Sequence, residues 1–535
     1  MEEHRLYQVS EVLRKYVCQQ IRMKGDSRLQ KSMLNANVNT ICFFVSLLIS
    51  FFSRKIFLDQ LGASFMGLSG TLGSLLGFLN IAELGIGAAI GYALYKPIAE
   101  SDELKIKEIV SVLGYLYRRI GHVILILGFL LSLALPFIFK DEPFSVEVVI
   151  VGFYAYLFSS LIGYYNNYKQ VLLSADQRDY EVKGYYQIII SVITLMQMIL
   201  ALYTGNFYVY FLLQLLGGIV YSVILNYRIN KVYPWLQTEV KRGKTLLKQY
   251  PEITKYIKQI FVHKIGGFVQ FELSPFLVYS FVSLPMVAIY ANYTILTDKL
   301  NNLLQGVLDS TMAGVGNLIS EGDSDKIWNI YKQLLSIRFF VVGICCSCFY
   351  YLSNGFIDLW LGKEYELSNT TILLITITLF LRLVRGTTDQ FINGYGLFYD
   401  VWSPIVEASI FVAASVSFGS IMGLNGVLLG PIISMTLIIH MWKPFFLFRK
   451  GLKRSLWYYV QLVVFFVVTI VISYILSTKI ISLLCVEPAT WMSLLLCSIM
   501  FFSCYSAILF GLFYSLSVNF RHITKEIVLH TLKKK

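Results

Sequence analysis

Charge is scarce in this chain: Asp, Glu, Lys and Arg make up 14% of its 535 residues, against 56% hydrophobic ones. A soluble protein so poor in charge could not cover its surface, and a mean hydropathy of +0.64 points the same way. No glycine-rich nucleotide-binding loop is present, and no connection is long enough to hold a nucleotide-binding domain, the largest being Arg228–Ile253. The six His are scattered and form no Ser/His/Asp or Cys/His set. The chain therefore does not read as an enzyme, and neither a cofactor nor a metal is implied. Cysteine is sparse too: Cys42, Cys345, Cys346, Cys348, Cys497 and Cys504 lie inside apolar stretches, where no disulfide framework or metal spacing can be read. A cleavable leader is also lacking. Residues 1–34 are polar and basic, with Leu6, Val9, Leu13, Tyr16, Val17 and Ile21 at helical spacing. An amphipathic helix on the membrane surface fits this segment, as does a basic tail that only fixes orientation.

What the chain has is a succession of apolar stretches, from about Asn35 to Tyr514, most of them reaching the ~20 residues needed to cross ~30 Å of hydrocarbon. About fourteen transmembrane helices are expected, among them 66–94, 286–319, 368–392 and 422–446. The fold class is thus an all-α polytopic membrane protein. Lys and Arg gather in alternate connections: Lys96, Lys105, Lys107, Arg118 and Arg119, then Lys169, Arg178 and Lys183, then the segment Arg228–Lys258. This asymmetry places both termini in the cytoplasm of a bacterial inner membrane. It also accounts for the net charge of +13 without nucleic acid as a partner.

Residues 80–113 and 301–334 align without gaps: Asn80 with Asn301, Gly85 with Gly306, Glu100 with Glu321, Asp102 with Asp323, and Lys105 with Lys326. The copies stand an even number of helices apart, so they share one orientation. Parallel repeats about an axis along the membrane normal are expected.

The stretches LNIAELGIGAAIGYALYKPIAESDELKIK (79–107) and YYNNYKQVLLSADQRDY (164–180) closely resemble polysaccharide flippases of Wzx type, in the multidrug/oligosaccharidyl-lipid/polysaccharide exporter superfamily. Residues 290–318 and 391–431 resemble the second lobe of the same family, and the resemblance runs from about Ser32 to Lys525. It implies two six-helix lobes, 35–228 and 255–447, joined by a basic linker at 229–254. Two C-terminal helices at 448–517 and a basic tail at 518–535 complete the chain. It further implies movement of an undecaprenyl-diphosphate-linked oligosaccharide across the membrane by alternating access, with a polysaccharide polymerase working beside it. An ion-coupled small-molecule or drug antiporter of the same superfamily is the alternative. Either would draw energy from an ion gradient, the membrane potential or the substrate gradient.

Charges inside spans are costly, so they default to functional or paired interior positions. Asp298, Asn301, Asn302, Gln305 and Asp309 recur at i, +3, +4, +7 and +11 and draw one polar stripe, either a hydrated wall or an interhelical network. Arg382, Arg385 and Asp389 also share a face. Their guanidinium forks match the oxygens of a diphosphate, although Arg385 and Asp389 could instead neutralise each other one turn apart. Lys264 is a third candidate for an anionic headgroup, or a snorkelling interfacial lysine. Glu83, Glu272 and Glu407, with the stripe acids, are candidates for ion coupling or for structural pairing.

Overall fold

In the computed structural model, which describes residues 28–397, 399–483 and 489–533, every regular element among the described residues is helical. Most of the basic N-terminal segment lies outside them. Eleven helical runs among the described residues are long and apolar enough to cross a membrane. A chain with no water to satisfy its backbone in the bilayer must close its hydrogen bonds within each segment, and helices do this. The protein is a multi-pass, all-α membrane protein.

The helices used below are α1 (Arg28–Leu79), α2 (Ile86–Glu100), α3 (Glu103–Ile138), α4 (Val146–Asn166), α5 (Asp179–Thr204) and α6 (Phe207–Val232). They continue with α7 (Pro251–Phe281), α8 (Leu284–Leu308), α9 (Met312–Glu321), α10 (Ser324–Trp360), α11 (Asn369–Val384) and α12 (Gly386–Gly394). The last are α13 (Ser403–Met422), α14 (Leu424–Ser434), α15 (Leu456–Ser482), α16 (Trp491–Leu516) and α17 (Val518–Lys533). They fall into two compact units, one of residues 28–56 with Ala82–Ile260, the other of Phe57–Ile81 with 261–533.

In the first unit, α4 packs against both α3 and α6. Glycines admit the close contacts: Gly128 faces Leu157, and Gly152 faces the Phe211 ring. Lipid gives helices no hydrophobic reason to associate, so such fitted contacts carry the association. In the second unit α10 is the spine. Its Tyr331, Phe339 and Cys346 join Phe391, Phe448, Phe466, Phe501 and Tyr505 in one buried cluster.

Several stretches that read as continuous spans are interrupted. Leu79 is followed by a 3-10 turn at Asn80–Glu83 before α2 begins, and α8 stops at Leu308 for a second such turn at Asp309–Thr311. The helix through 368–392 breaks between Val384 and Gly386, and α14 runs into π-helical backbone at Met435–Trp442. Gly62, with φ +84°, breaks α1 in a left-handed conformation that glycine takes without steric strain.

The two aligned segments share a turn. Ser101 and Gly322 close one helix with φ 60° and 79°. Asp102 and Asp323 then cap the next, each accepting from the backbone N–H three residues on, Lys105 and Lys326, at 3.0 Å. An Asp N-cap satisfies an otherwise orphaned donor. The polar matches of the alignment are therefore a capped helix start made twice.

Candidate functional site

In the second unit three ionic clusters form where α8, α10, α11, α12 and the chain after α14 meet. Arg382 on α11 reaches Asp298 on α8, Nη1 to Oδ1 at 2.9 Å, with both side chains 31% exposed. Next along α8, Gln305 donates to buried Asn301 at 3.2 Å, while Asn302 is exposed.

The second cluster centres on Arg338, whose side chain is 3% exposed. Its Nη2 donates to Asp309 Oδ1 at 2.7 Å and to the carbonyl of Leu308 at 3.3 Å, and its Nη1 donates to the carbonyl of Leu383 at 3.0 Å. Gln390 Nε2 donates to the same Leu308 carbonyl at 3.0 Å and to Asp309 at 3.3 Å. Leu308 and Leu383 are at the C-terminal ends of α8 and α11, where carbonyls have no helical partner. One guanidinium thus satisfies a carboxylate and two helix ends. Gly386 makes the approach possible, because a Cβ there would overlap the Arg338 guanidinium. Gly386→Ala should lower stability by about 1–3 kcal/mol through this overlap. Gly306→Ala, with nothing within 4 Å of the added carbon, is its control. Thermal unfolding of the two purified variants in one detergent measures the difference.

In the third cluster Asp389 stands between two cations, Arg385 Nε at 2.7 Å and Lys443 Nζ at 3.5 Å. Glu407 on α13 lies within electrostatic reach of all three. It is 4% exposed, its carboxylate lies against Gly266 of α7, and its Oε1 has no hydrogen-bond partner among the described residues. The arrangement can exchange partners. An anion arriving at Arg385 or Lys443 would leave Asp389 with the other cation, and a proton on Glu407 would change the local charge by one.

The remaining candidates stand elsewhere. Glu272 on α7 lays its carboxylate over Gly77 of α1, and Ser74 donates to the Glu272 backbone carbonyl. Lys264 on the same helix is exposed. In the first unit, Glu83 receives the hydroxyls of Tyr117 at 2.6 Å and Tyr164 at 2.7 Å, one on each carboxylate oxygen.

Arg338, Lys443 and Gln390 escaped the sequence reading. Arg338 and Lys443 lie near the ends of apolar runs, where a lone cation reads as an interfacial flank. The available signal was Asp309, an acid inside a span that requires a counter-charge.

No family model matches the chain. A protein of Yersinia pseudotuberculosis, named provisionally for O-antigen export, is 23% identical over 443 residues, covering 77% of this chain and 94% of its own length. Among solved structures, the lipid II flippase MurJ in an inward closed conformation superposes with a TM-score of 0.65 at 14% identity, over 89% of this chain and 98% of that one. An inward-facing multidrug resistance transporter of the MATE family, in the same exporter superfamily, gives 0.56 at 14% identity, over 76% and 96%. An outward-facing one gives 0.53 at 16%, over 81% and 98%.

Proposed function

From a chain that has the fold of the multidrug/oligosaccharidyl-lipid/polysaccharide exporters and resembles their Wzx-type polysaccharide flippases, we propose a flippase for diphosphate-linked oligosaccharides. It moves an undecaprenyl-diphosphate-linked unit across the bacterial inner membrane by alternating access, during surface polysaccharide synthesis. The observation that carries this is the similarity to the O-antigen export protein, which spans most of both chains. About fourteen spans, arranged as two parallel six-helix repeats with two further helices, are part of the proposal.

The charges suit such a cargo. Arg382 and Arg385 each hold one acid, and their half-exposed heads can trade it for diphosphate oxygens, which guanidinium binds in bidentate fashion. Asp298 and Asp389 keep the arginines neutralised between visits. Glu407 is the residue for ion coupling, being an acid that can take a proton beside them.

Deleting the gene should leave undecaprenyl-linked oligosaccharide accumulated on the cytoplasmic side of the membrane, assayed in lipid extracts of inverted and right-side-out vesicles. Drug or cation sensitivity without that accumulation would instead favour an antiporter, the reading to which the multidrug-transporter fold also lends support. Orientation has its own test. Gly243 is packed against Tyr115, so the probe belongs at exposed Lys244. A Lys244→Cys variant without other cysteines should resist a membrane-impermeant thiol reagent in intact spheroplasts and react after permeabilisation. Labelling from outside would reverse the topology.

A further inference from the structure

The first unit carries a cavity of about 330 Å³ that none of the clusters above uses. It lies where α3, the end of α4 and α6 come together, and its polar lining includes Arg118, Tyr165, Asn166, Tyr168, Lys169 and Asn226. Its floor is built. Buried Asn167 accepts from Ser222 at 2.7 Å and from Asn226 at 3.1 Å, and Tyr168 bonds Thr238 at 2.8 Å. Those groups are committed to one another.

The two cations are not. Arg118 and Lys169 have no acidic partner among the described residues, whereas the neighbouring Arg119 lies over the Tyr115 ring at 5.4 Å. Below the cavity, α6 presents an apolar stripe. Leu212, Leu216, Ile219 and Val223 recur at i, +4, +7 and +11, and all are exposed, Val223 at 64% while also lining the cavity. Eleven residues of helix make the stripe about 16 Å long. On α4, Val151 and Phe158 are exposed as well. A polar cup with two free cations stands at the head of an apolar stripe of acyl-chain dimensions.

We propose that this cavity seats the phosphate of an anionic phospholipid of the surrounding leaflet, with an acyl chain lying along Val223, Ile219, Leu216 and Leu212. Arg118 supplies the planar fork for two phosphate oxygens, and Lys169 supplies a point charge from the opposite wall. Paired cations between helices at a membrane interface favour a headgroup with net negative charge over a zwitterionic one. The site is independent of the cargo that the protein carries.

The test is lipid retention by the full chain, purified in detergent and read by native mass spectrometry against equal amounts of phosphatidylglycerol and phosphatidylethanolamine. Removing both charges, as Arg118→Gln with Lys169→Gln, should reduce phosphatidylglycerol retention about thirtyfold. Phosphatidylethanolamine retention and the unfolding temperature should stay the same. Unchanged phosphatidylglycerol retention would overturn the site. Should the double variant not fold, the wild-type protein still decides, because retention must fall steeply with added salt and a salt-insensitive lipid overturns the proposal. Two competitors separate the sources of phosphate. Displacement of phosphatidylglycerol by inorganic pyrophosphate assigns the cavity to a soluble anion, and equimolar displacement by undecaprenyl phosphate assigns it to the polyprenyl carrier. Either result refutes the phospholipid; failure of both supports it.

Discussion

Arg338→Ala should destabilise the protein by about 3–5 kcal/mol, a larger loss than for any other single change in the second unit. The arginine is buried in the spine helix α10 and holds Asp309 together with the Leu308 and Leu383 carbonyls. Alanine leaves all three partly or wholly unsatisfied in a low-dielectric interior, where water cannot replace the lost donors. Arg338→Lys should rescue little. A single ammonium cannot span a carboxylate and two helix ends that a planar fork reaches from both sides. Asp309→Asn should be far milder, since that side chain is 38% exposed and Gln390 remains as a partner. Thermal unfolding in detergent, with folded yield after extraction, would rank the three. Equal losses for Arg338→Ala and Asp309→Asn would mean that the helix-end carbonyls contribute nothing.

Asp389→Ala should have the second largest effect, and a larger one than Arg385→Ala. Asp389 is shared by Arg385 and Lys443. Without Arg385 it still has Lys443, so charge stays balanced and the cost in stability should be small, about 1 kcal/mol. Without Asp389 two cations face each other with only Glu407 nearby, a loss of about 2–3 kcal/mol at these partly exposed positions. Adding Lys443→Met to Asp389→Ala should recover much of that loss by removing one of the repelling charges. Export separates stability from function. At equal protein level in the membrane, Arg385→Ala should lower glycan export about tenfold if its fork grips the diphosphate, and Arg385→Lys should not restore it. Wild-type export by Arg385→Ala would confine Arg385 to structural pairing.

The membrane class could be read from span length and charge distribution, because both are summed over many residues and tolerate local error. The ion-bearing stretches were also legible: Asp298, Asp309, Arg382, Arg385 and Asp389 all meet acids or bases of the same unit. What could not be read was which partner each one takes. A polar stripe from Asp298 to Asp309 presumes one continuous helix, and the helix ends at Leu308, so Asp309 turns toward Arg338. The tyrosines that hold Glu83 come from α3 and α4, 34 and 81 residues away along the chain. Helical spacing on one segment carries no information about such distances. Glu83, Asp309 and Arg385 share one circumstance: each stands in or beside an interruption of the helix. Carbonyls released there need donors and carboxylates need partners, so the polar residues that looked exceptional in sequence gather where the backbone is itself polar.

The π-helical run Met435–Trp442 has the corresponding effect on Lys443. A π turn is an α turn with one residue too many, and each residue of α-helix is worth about 100° of rotation. Deleting one residue inside that run would therefore shorten the segment very little, yet it would turn everything beyond it like a key. Lys443 would swing off Asp389, and Trp442 would lose the indole contact with Asp400. Substitutions in the same stretch leave the angle alone. Insertions and deletions there are consequently the changes that re-address the cation, and a single codon is enough to redirect a charge around the helix axis.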